Sequence, residues 1–378
     1  MYKVLVVGAG RVGSVIARDL SDDPHIDVTL ADANDGRLEM LRQKMVFTPL
    51  VADLSDPAVL GRASASADLV VGALPGPLGR RALEGVVDAG KRCVDISFMA
   101  EDPRSLDERA KQTGSVVVYD FGVAPGMSNL LAAFEARRLA PAEDIQICVG
   151  GLPRIRREPW SYAAPFSPTD VIEEYVRPVR IRVEGKEVVR PPLSDLTHVD
   201  VPGIGTLEAF LSDGLRSLVD TVDCPNMTEK TMRYPGHRDK VKVLLDSGFF
   251  STEPVDVSGE KVAPRDVALA VLENAWREDD GGEFTVMEIK VKGRKGTGVW
   301  RLVDATDDIR RESSMARTTG FPVAILVRKM LAGEVSLSPG VHPPEALAGE
   351  ERFVMALLSD LGDRNVVYRR TGVSGLSG

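Results

Sequence analysis

A short apolar run, Val4–Val7, leads directly into Gly8-Ala9-Gly10-Arg11-Val12-Gly13, and a helical stretch, Val12–Leu20, opens inside that motif. Little else in the chain restricts the fold as much. Gly8 permits a tight turn, Gly10 has no Cβ to block a pyrophosphate, and Gly13 lets the helix pack close to the strand. The helix N-terminus then offers free N–H groups to a phosphate. A Gly-rich structural turn is the alternative, but the strand–turn–helix context points to a dinucleotide, with Arg11 and Val12 among its contacts.

Asp32 stands 19 residues past Gly13, at the end of the next strand. A carboxylate there accepts hydrogen bonds from ribose hydroxyls and repels a 2′-phosphate, so the expected cofactor is NAD and not NADP. A helix N-cap is the other reading of Asp32, since Asn34 and Asp35 follow, and Arg37 is close enough to anchor the phosphate of NADP. Asp53, with Leu54 beside it, can reach adenine or cap the next helix. Ala73-Leu74-Pro75 and Asp95-Ile96-Ser97 end the fourth and fifth strands. Ligands of an open parallel sheet sit beyond such carboxyl ends, which places Ala73, Leu74, Pro75, Asp95 and Ser97 among the cofactor residues.

Residues 3–119 keep one rhythm. Val4–Val7, Val28–Leu30, Phe47–Val51, Leu69–Val71, Cys93–Ile96 and Val116–Tyr119 read as strands, with helices such as Gly36–Lys44 and Leu78–Ala89 between them. Near-continuous apolar strands with helical crossovers predict an α/β fold, a doubly wound parallel sheet covered on both faces. After Asp120 the rhythm changes. A helix from Ser128 or Asn129 through Leu139, an alternating strand around Ile145–Val149, a hairpin over Val179–Val189 and a strand pair, Thr285–Lys292 with Val299–Ala305, predict a second, α+β domain with a mixed or antiparallel sheet. Ser313–Leu331 and Glu350–Leu361 read as helices around a Pro-rich loop, Ser338–Pro344. At 378 residues two domains are the natural expectation.

Composition excludes several classes. The 47 Lys+Arg against 56 Asp+Glu leave a net charge of −9, which disfavours nucleic acid or an anionic membrane as partner. Arg154, Arg156 and Arg157 can still hold a small anion locally. Cys93, Cys148 and Cys224 are odd in number, far apart and without a CxxC pair, as in a reduced cytosol. No signal peptide or membrane-spanning run is evident, so a soluble cytoplasmic protein is expected. The four His are scattered and no HExxH motif occurs, so no metal site is expected; His25 and His342 receive no role.

Asp120 closes the sixth strand, where a base for amine chemistry would be useful, though it can equally cap the helix that follows. Arg233-Tyr234-Pro235-Gly236-His237 joins a guanidinium, a phenol and an imidazole in one turn. Arg233 can bind a carboxylate bidentately, and His237 can exchange protons near neutral pH. An ordinary surface arginine is the bland reading of Arg233. Tyr162, Asp213 and Arg216 stand as substrate candidates on the same terms.

The chain resembles the saccharopine dehydrogenase-like superfamily, and within it the NAD-dependent L-lysine 6-dehydrogenases. The resemblance rests on VLVVGAGRVG (4–13), GALPGPLG (72–79), VDISFMAEDP (94–103), YDFGVAPGMSN (119–129), VGGLPR (149–154), FSPTDVIEEYVRP (166–178), LEAFLSDGLRS (207–217), TMRYPGH (231–237), SMARTTGFP (314–322) and GVHPPE (340–345). It implies a cofactor domain, 1–124, completed by 316–378, around a substrate-binding and dimerisation domain, 125–315, with a homodimer as the assembly. It also implies oxidation of the ε-amine of L-lysine to 2-aminoadipate 6-semialdehyde, Arg233 and Arg216 holding the α-carboxylate and Asp120 or His237 serving as base. The saccharopine-reductase pattern has Cys directly before Gly-Gly-Leu-Pro. Here that position is Val149, and Cys148 lies one residue earlier, on the opposite strand face, which favours the lysine dehydrogenase branch. Gly76-Pro77-Leu78 also lacks an aromatic found in some relatives. The alternatives are a saccharopine or carboxynorspermidine-type reductase and, from another class, a catalytically silent NAD-binding regulator.

Overall fold

The computed structural model describes residues 1–277 and 281–374. The described residues form two compact units: Met1–Leu130 with Ala316–Val367, and Leu131–Met315 with Tyr368–Ser374.

In the first unit β1 (Tyr2–Val7), α1 (Arg11–Ser21), β2 (Ile26–Asp32), α2 (Asp35–Arg42), β3 (Thr48–Val51), α3 (Pro57–Ser64), β4 (Leu69–Gly72), α4 (Gly76–Asp88), β5 (Arg92–Asp95), α5 (Asp107–Thr113) and β6 (Val116–Val118) follow one another. The sheet has seven strands, in the order Gly340–His342, β6, β5, β4, β1, β2, β3. Every pairing is parallel. The strand sequence reverses direction between β1 and β4, so the turns after these two strands, at Gly8 and Ala73, flank a crevice at the carboxyl edge. Leu5, Val7, Val70, Cys93, Val117 and Tyr119 are buried in one apolar cluster on the sheet with Leu83, Val86 and Val87 of α4.

The expected loop at Ser338–Pro344 contains a seventh strand instead. Gly340 N–H donates to Ser115 C=O at 2.9 Å and Val341 N–H to Asp107 Oδ1 at 2.8 Å. Three residues bounded by Gly and Pro are too few to show alternation, so the strand has no periodic signature. Asp107 gains a carboxyl held below its usual range, first through its bond from Lys111 and then through Val341.

The second unit continues with α6 (Met127–Arg138), whose first turn still belongs to the first unit, then β7 (Ala142–Pro153), α7 (Pro168–Val176), β8 (Val179–Val183), β9 (Lys186–Arg190), β10 (Thr197–Val201), β11 (Gly205–Leu211), α8 (Leu218–Thr221), β12 (Met227–Arg233), α9 (His237–Asp246), β13 (Val255–Val257), β14 (Glu260–Val262), α10 (Pro264–Ala275), β15 (Glu283–Gly293) and β16 (Gly296–Ala305). Its nine-stranded sheet runs β10, β11, β12, β7, β15, β16, Tyr368–Ser374, with β8 and β9 attached beside β12. Among the described residues only β12 and β7 pair in parallel; the other pairs are antiparallel. The second domain is thus the expected mixed sheet with helices.

One boundary differs from expectation. The first unit was expected to keep the chain to 378, but Tyr368–Ser374 pairs with β16, from Tyr368 opposite Leu302 to Ser374 opposite Gly296. Arg370 also gives a fully buried carboxylate, Glu135 of α6, its counter-charge: Nε and Nη2 lie 2.9 and 2.6 Å from the two oxygens. Trp300 Nε1–H donates to the same carboxylate at 3.0 Å. A buried acid requires such a partner, and that requirement fixes where the strand goes.

Candidate functional site

The glycine motif sits where β1 meets α1. Gly8 has φ +102°, and a Cβ on it would lie 2.5 Å from Ala73 O. A Cβ on Gly13 would lie 1.9 Å from Gly8 O, whereas one on Gly10 would meet nothing within 4 Å. Two of the glycines are therefore demanded by packing. The third leaves an open approach to the start of α1. Gly10 takes the N-cap position with no side-chain capping bond, and the first helical bond runs from Ser14 N–H to Gly10 C=O. The amides of Val12 and Gly13 are thereby available to an anion.

Asp32 ends β2 and holds this turn. Its Oδ2 accepts from Ala9 N–H and its Oδ1 from Asn34 N–H, both at 2.8 Å. The N-cap of α2 is Asn34, which accepts from Arg37 N–H at 3.0 Å, so the capping reading of Asp32 falls away. Arg37 Nη1 lies 3.7 Å from Asp32 Oδ2, with Arg37 about half exposed. Asp53 is exposed and turned onto its own loop, accepting from Ser55 N–H and Oγ–H at 3.0 and 2.6 Å. Those bonds hold its carboxyl below the usual range. The cap of α3 is Asp56, so Asp53 caps nothing, and Leu54 is buried in the core.

Ala73 N–H donates to Val7 C=O at 2.9 Å, which ties the turn after β4 to that after β1. Leu74 is half-buried, and Pro75 is exposed at the N-cap of α4. Asp95 ends β5, buried. Its Oδ1 accepts from Ser97 N–H at 2.8 Å and its Oδ2 from Ser97 Oγ–H at 3.3 Å. Gly72 is the reason it fits: a Cβ there would lie 1.8 Å from Asp95 Oδ2. Burial, with the charge of Asp120 adding to it, pushes the Asp95 carboxyl up to about 7. Asp120 is buried just past β6 at φ +52°, and the next amide, Phe121 N–H, bonds to Asp95 C=O at 3.1 Å. The chain then folds over itself, with Met127 N–H on Gly122 C=O at 2.9 Å and Ser128 N–H on Val123 C=O at 3.0 Å. Backbone carbonyls thus take two of the first amides of α6.

In the second unit Arg233 is a buried centre and not a surface residue. At 2% exposure its Nη2 donates to Glu174 Oε2 at 2.7 Å, its Nη1 to Met232 C=O at 3.0 Å and its Nε to Tyr175 Oη at 3.3 Å. Its guanidinium carbon lies 4.7 Å from the Tyr162 ring centre. A bidentate substrate carboxylate must compete here with Glu174, already in place.

His237 does not carry the expected proton exchange. Its Nδ1 is 3.2 Å from Trp160 C=O, which can only accept, so the proton sits on Nδ1. Nε2 then accepts from Tyr175 O–H at 3.0 Å. Burial, reinforced by the charge of Arg233, holds the imidazolium pKa down at about 3. The ring is a neutral strut between Trp160 and Tyr175.

Arg216 has φ +49° and lies half-buried with Nη1 3.7 Å from Asp213 Oδ2. The loop that carries both residues is pinned by Glu229, a residue without a sequence motif: Ser212 Oγ–H and Gly214 N–H donate to its Oε2 at 2.7 and 3.1 Å. Burial pushes Glu229 up to about 8. Sequence reading also missed Glu174 and Tyr175, although both stand in the Glu-Glu-Tyr of the quoted 166–178 stretch. Among the described residues no three His, Cys, Asp or Glu side chains group as a metal site, and no helix is long and apolar enough to cross a membrane.

Comparison with known proteins agrees with this layout. Residues 4–118 match the saccharopine dehydrogenase NADP binding domain and residues 122–366 the saccharopine dehydrogenase C-terminal domain. The mitochondrial alpha-aminoadipic semialdehyde synthase of Mus musculus is 25% identical over 266 residues, 66% of this chain and 29% of that protein. The saccharopine dehydrogenase [NADP(+), L-glutamate-forming] of Pyricularia oryzae is 26% identical over 264 residues, 66% of this chain and 58% of that one. The chain therefore spans less than two thirds of either relative, and under a third of the first. Among solved structures, the apo L-Glu-forming saccharopine dehydrogenase of Saccharomyces cerevisiae superposes with a TM-score of 0.80 at 18% identity, covering 99% of this chain and 100% of that one, which speaks for the fold. Two domain models of one family, matched in order along the chain, identify it as a member of the saccharopine dehydrogenase family.

Proposed function

We propose that this chain is a nicotinamide-dependent oxidoreductase that oxidises the amine-bearing carbon of a lysine-type amino acid, releasing ammonia and 2-aminoadipate 6-semialdehyde. The carrying observation is the open approach above Gly10, with Asp32 anchoring Ala9. Gly8, Gly10, Val12 and Gly13 fit a pyrophosphate, and Asp32 fits the ribose of NAD. A nicotinamide held there would supply the hydride acceptor for the carbon bearing the amine, and water would hydrolyse the resulting imine to the semialdehyde and ammonia. Asp120 serves the substrate ammonium and takes its proton, with Asp95, poised near neutrality, as its neighbour. Arg216 contributes to holding the α-carboxylate. Arg233, neutralised by Glu174, orders Tyr162 and Tyr175 around it. The first unit is the cofactor domain and the second the substrate domain, in a homodimer.

The names of the relatives favour a second reading, a secondary amine of the saccharopine type, split to L-glutamate. NADH formation from a panel of amino acids, saccharopine and polyamines, with ammonia and glutamate assayed in parallel, decides between them. Ammonia from L-lysine supports the first reading and glutamate from saccharopine the second. Cofactor binding with no turnover of any amine would leave the silent regulator. A monomeric mass from light scattering would remove the dimer.

A further inference from the structure

Arg154, Arg156 and Arg157 follow β7 in one short segment, and the residues on either side of Arg156 are tied down. Arg154 Nη1 lies 2.9 Å from both oxygens of Asp308, and its Nη2 donates to Thr306 C=O at 2.7 Å. Glu158 accepts from Lys240 Nζ at 2.8 Å. Trp160 C=O holds His237 Nδ1. Arg154 and Glu158 therefore have their charges matched, and the segment has little freedom between its anchors.

Arg156 differs. Its guanidinium carbon stands 3.9 Å from the centre of the Tyr234 ring, so the plane of the group lies over the ring face. Tyr234 is only 3% exposed, with its hydroxyl on Pro153 C=O at 3.0 Å, which makes the ring a fixed platform. Arg156 itself is exposed. Among the described residues no carboxylate pairs with it. A guanidinium stacked on its face keeps its N–H groups pointing outward in one plane, the arrangement that meets a two-oxygen carboxylate with parallel hydrogen bonds. Its ordering has been met in advance by the stacking and the anchored segment.

We propose that Arg156, laid on Tyr234, is a carboxylate-binding residue of the second unit, and that its ligand is the carboxylate of the amino-acid substrate. The site itself stands on this geometry, and the identity of its ligand rests on the proposed activity. A free dicarboxylic acid acting as an effector would present the same chemistry. One experiment separates the two sources.

Calorimetric titration of the full chain, with NAD present, is run with L-lysine, cadaverine and glutarate on the wild type, Arg156→Gln and Arg156→Lys, alongside steady-state kinetics. Arg156→Gln is expected to weaken L-lysine and glutarate about tenfold or more and to raise KM for L-lysine at near-constant kcat. Cadaverine, which lacks the carboxylate, is expected to keep its affinity, and Arg156→Lys to recover part of the loss. Weakened glutarate with unchanged L-lysine makes the ligand a separate acid and overturns the substrate assignment. Unchanged glutarate in Arg156→Gln, or no glutarate binding by the wild type, overturns the site while leaving amine oxidation standing. Glutarate binding that needs Arg156 in a protein that oxidises no amine keeps the site and removes the activity.

Discussion

Nη2 of Arg233 and Oε2 of Glu174 lie 2.7 Å apart with the arginine almost wholly enclosed, and Tyr175 and Met232 take its other bonds. Burial raises the Glu174 carboxyl above its usual range even with Arg233 beside it. Removing one member of such a pair leaves a charge in an apolar setting, at about 3–5 kcal/mol. Arg233→Met and Glu174→Gln should each lower the melting temperature, and the double variant should lose less than the two together. A thermal melt of Arg233→Met matching the wild type would falsify this structural role and return Arg233 to substrate binding alone.

His237 should not titrate in the working range. Its folded pKa near 3 lies below the unfolded value near 6.5, so the unfolded chain takes up the proton first. Its contribution to stability is whole above pH 6.5 and drains away as pH falls towards 3. Imidazole signals of His237 followed by NMR from pH 8 to 5 should stay constant. A midpoint between 6 and 7 would restore His237 as an acid–base candidate.

Asp95 works in the opposite direction. Its carboxyl, near 7 when folded against 3.8 in the free residue, keeps its proton in the fold after the unfolded chain has lost it. Stability from this group therefore declines as pH rises from about 4 to 7 and then levels. Asp95→Asn, which cannot ionise, should flatten that part of the urea-melt profile, in parallel with Glu229→Gln over a range reaching about 8. An unchanged slope in Asp95→Asn would show that the carboxyl ionises freely.

Gly10 and Gly13 make opposite demands. Alanine at 13 drives a methyl into Gly8 O and should lower the melting temperature. Alanine at 10 meets only open space at a φ of −66°, so the fold should hold while nucleotide affinity drops about tenfold or more. Differential scanning fluorimetry with and without NAD reads both effects. Full NAD affinity in Gly10→Ala would move the pyrophosphate elsewhere.

Asp32 and Arg37 should divide the two dinucleotides between them. Asp32→Ala should narrow a preference for NAD, at some loss of stability because Ala9 and Asn34 lose their acceptor. Arg37→Ala should weaken NADP and spare NAD. Calorimetry in which the wild type binds NADP at least as well as NAD would reverse the assignment.

The parallel sheet was legible because its strands carry short apolar runs such as Val4–Val7 and Leu69–Val71 and its first turn has a glycine signature. β10, β11 and β12 were not, since exposed edges and residues such as Thr197, His198 and Lys230 break the alternation. Asp32 and Asp95 could be placed by their positions at strand ends. Glu174 and Glu229 could not, and Arg156 was readable only as one of three clustered arginines: their meaning lies in partners brought by other strands and helices. Arg233 and His237 were found as a motif, yet burial made one an ion-pair anchor and the other a neutral strut.

The chain enters the second unit within α6, returns at Ala316 and departs again at Tyr368. On the ribosome this ordering has a temporal meaning. The parallel sheet waits for Gly340–His342, and the mixed sheet waits for Tyr368–Ser374, whose Arg370 brings the cation Glu135 needs. Neither sheet can reach its full width while only the early residues have emerged, so β6 stays an edge strand until Gly340–His342 has been made and β16 until Tyr368–Ser374 has been made.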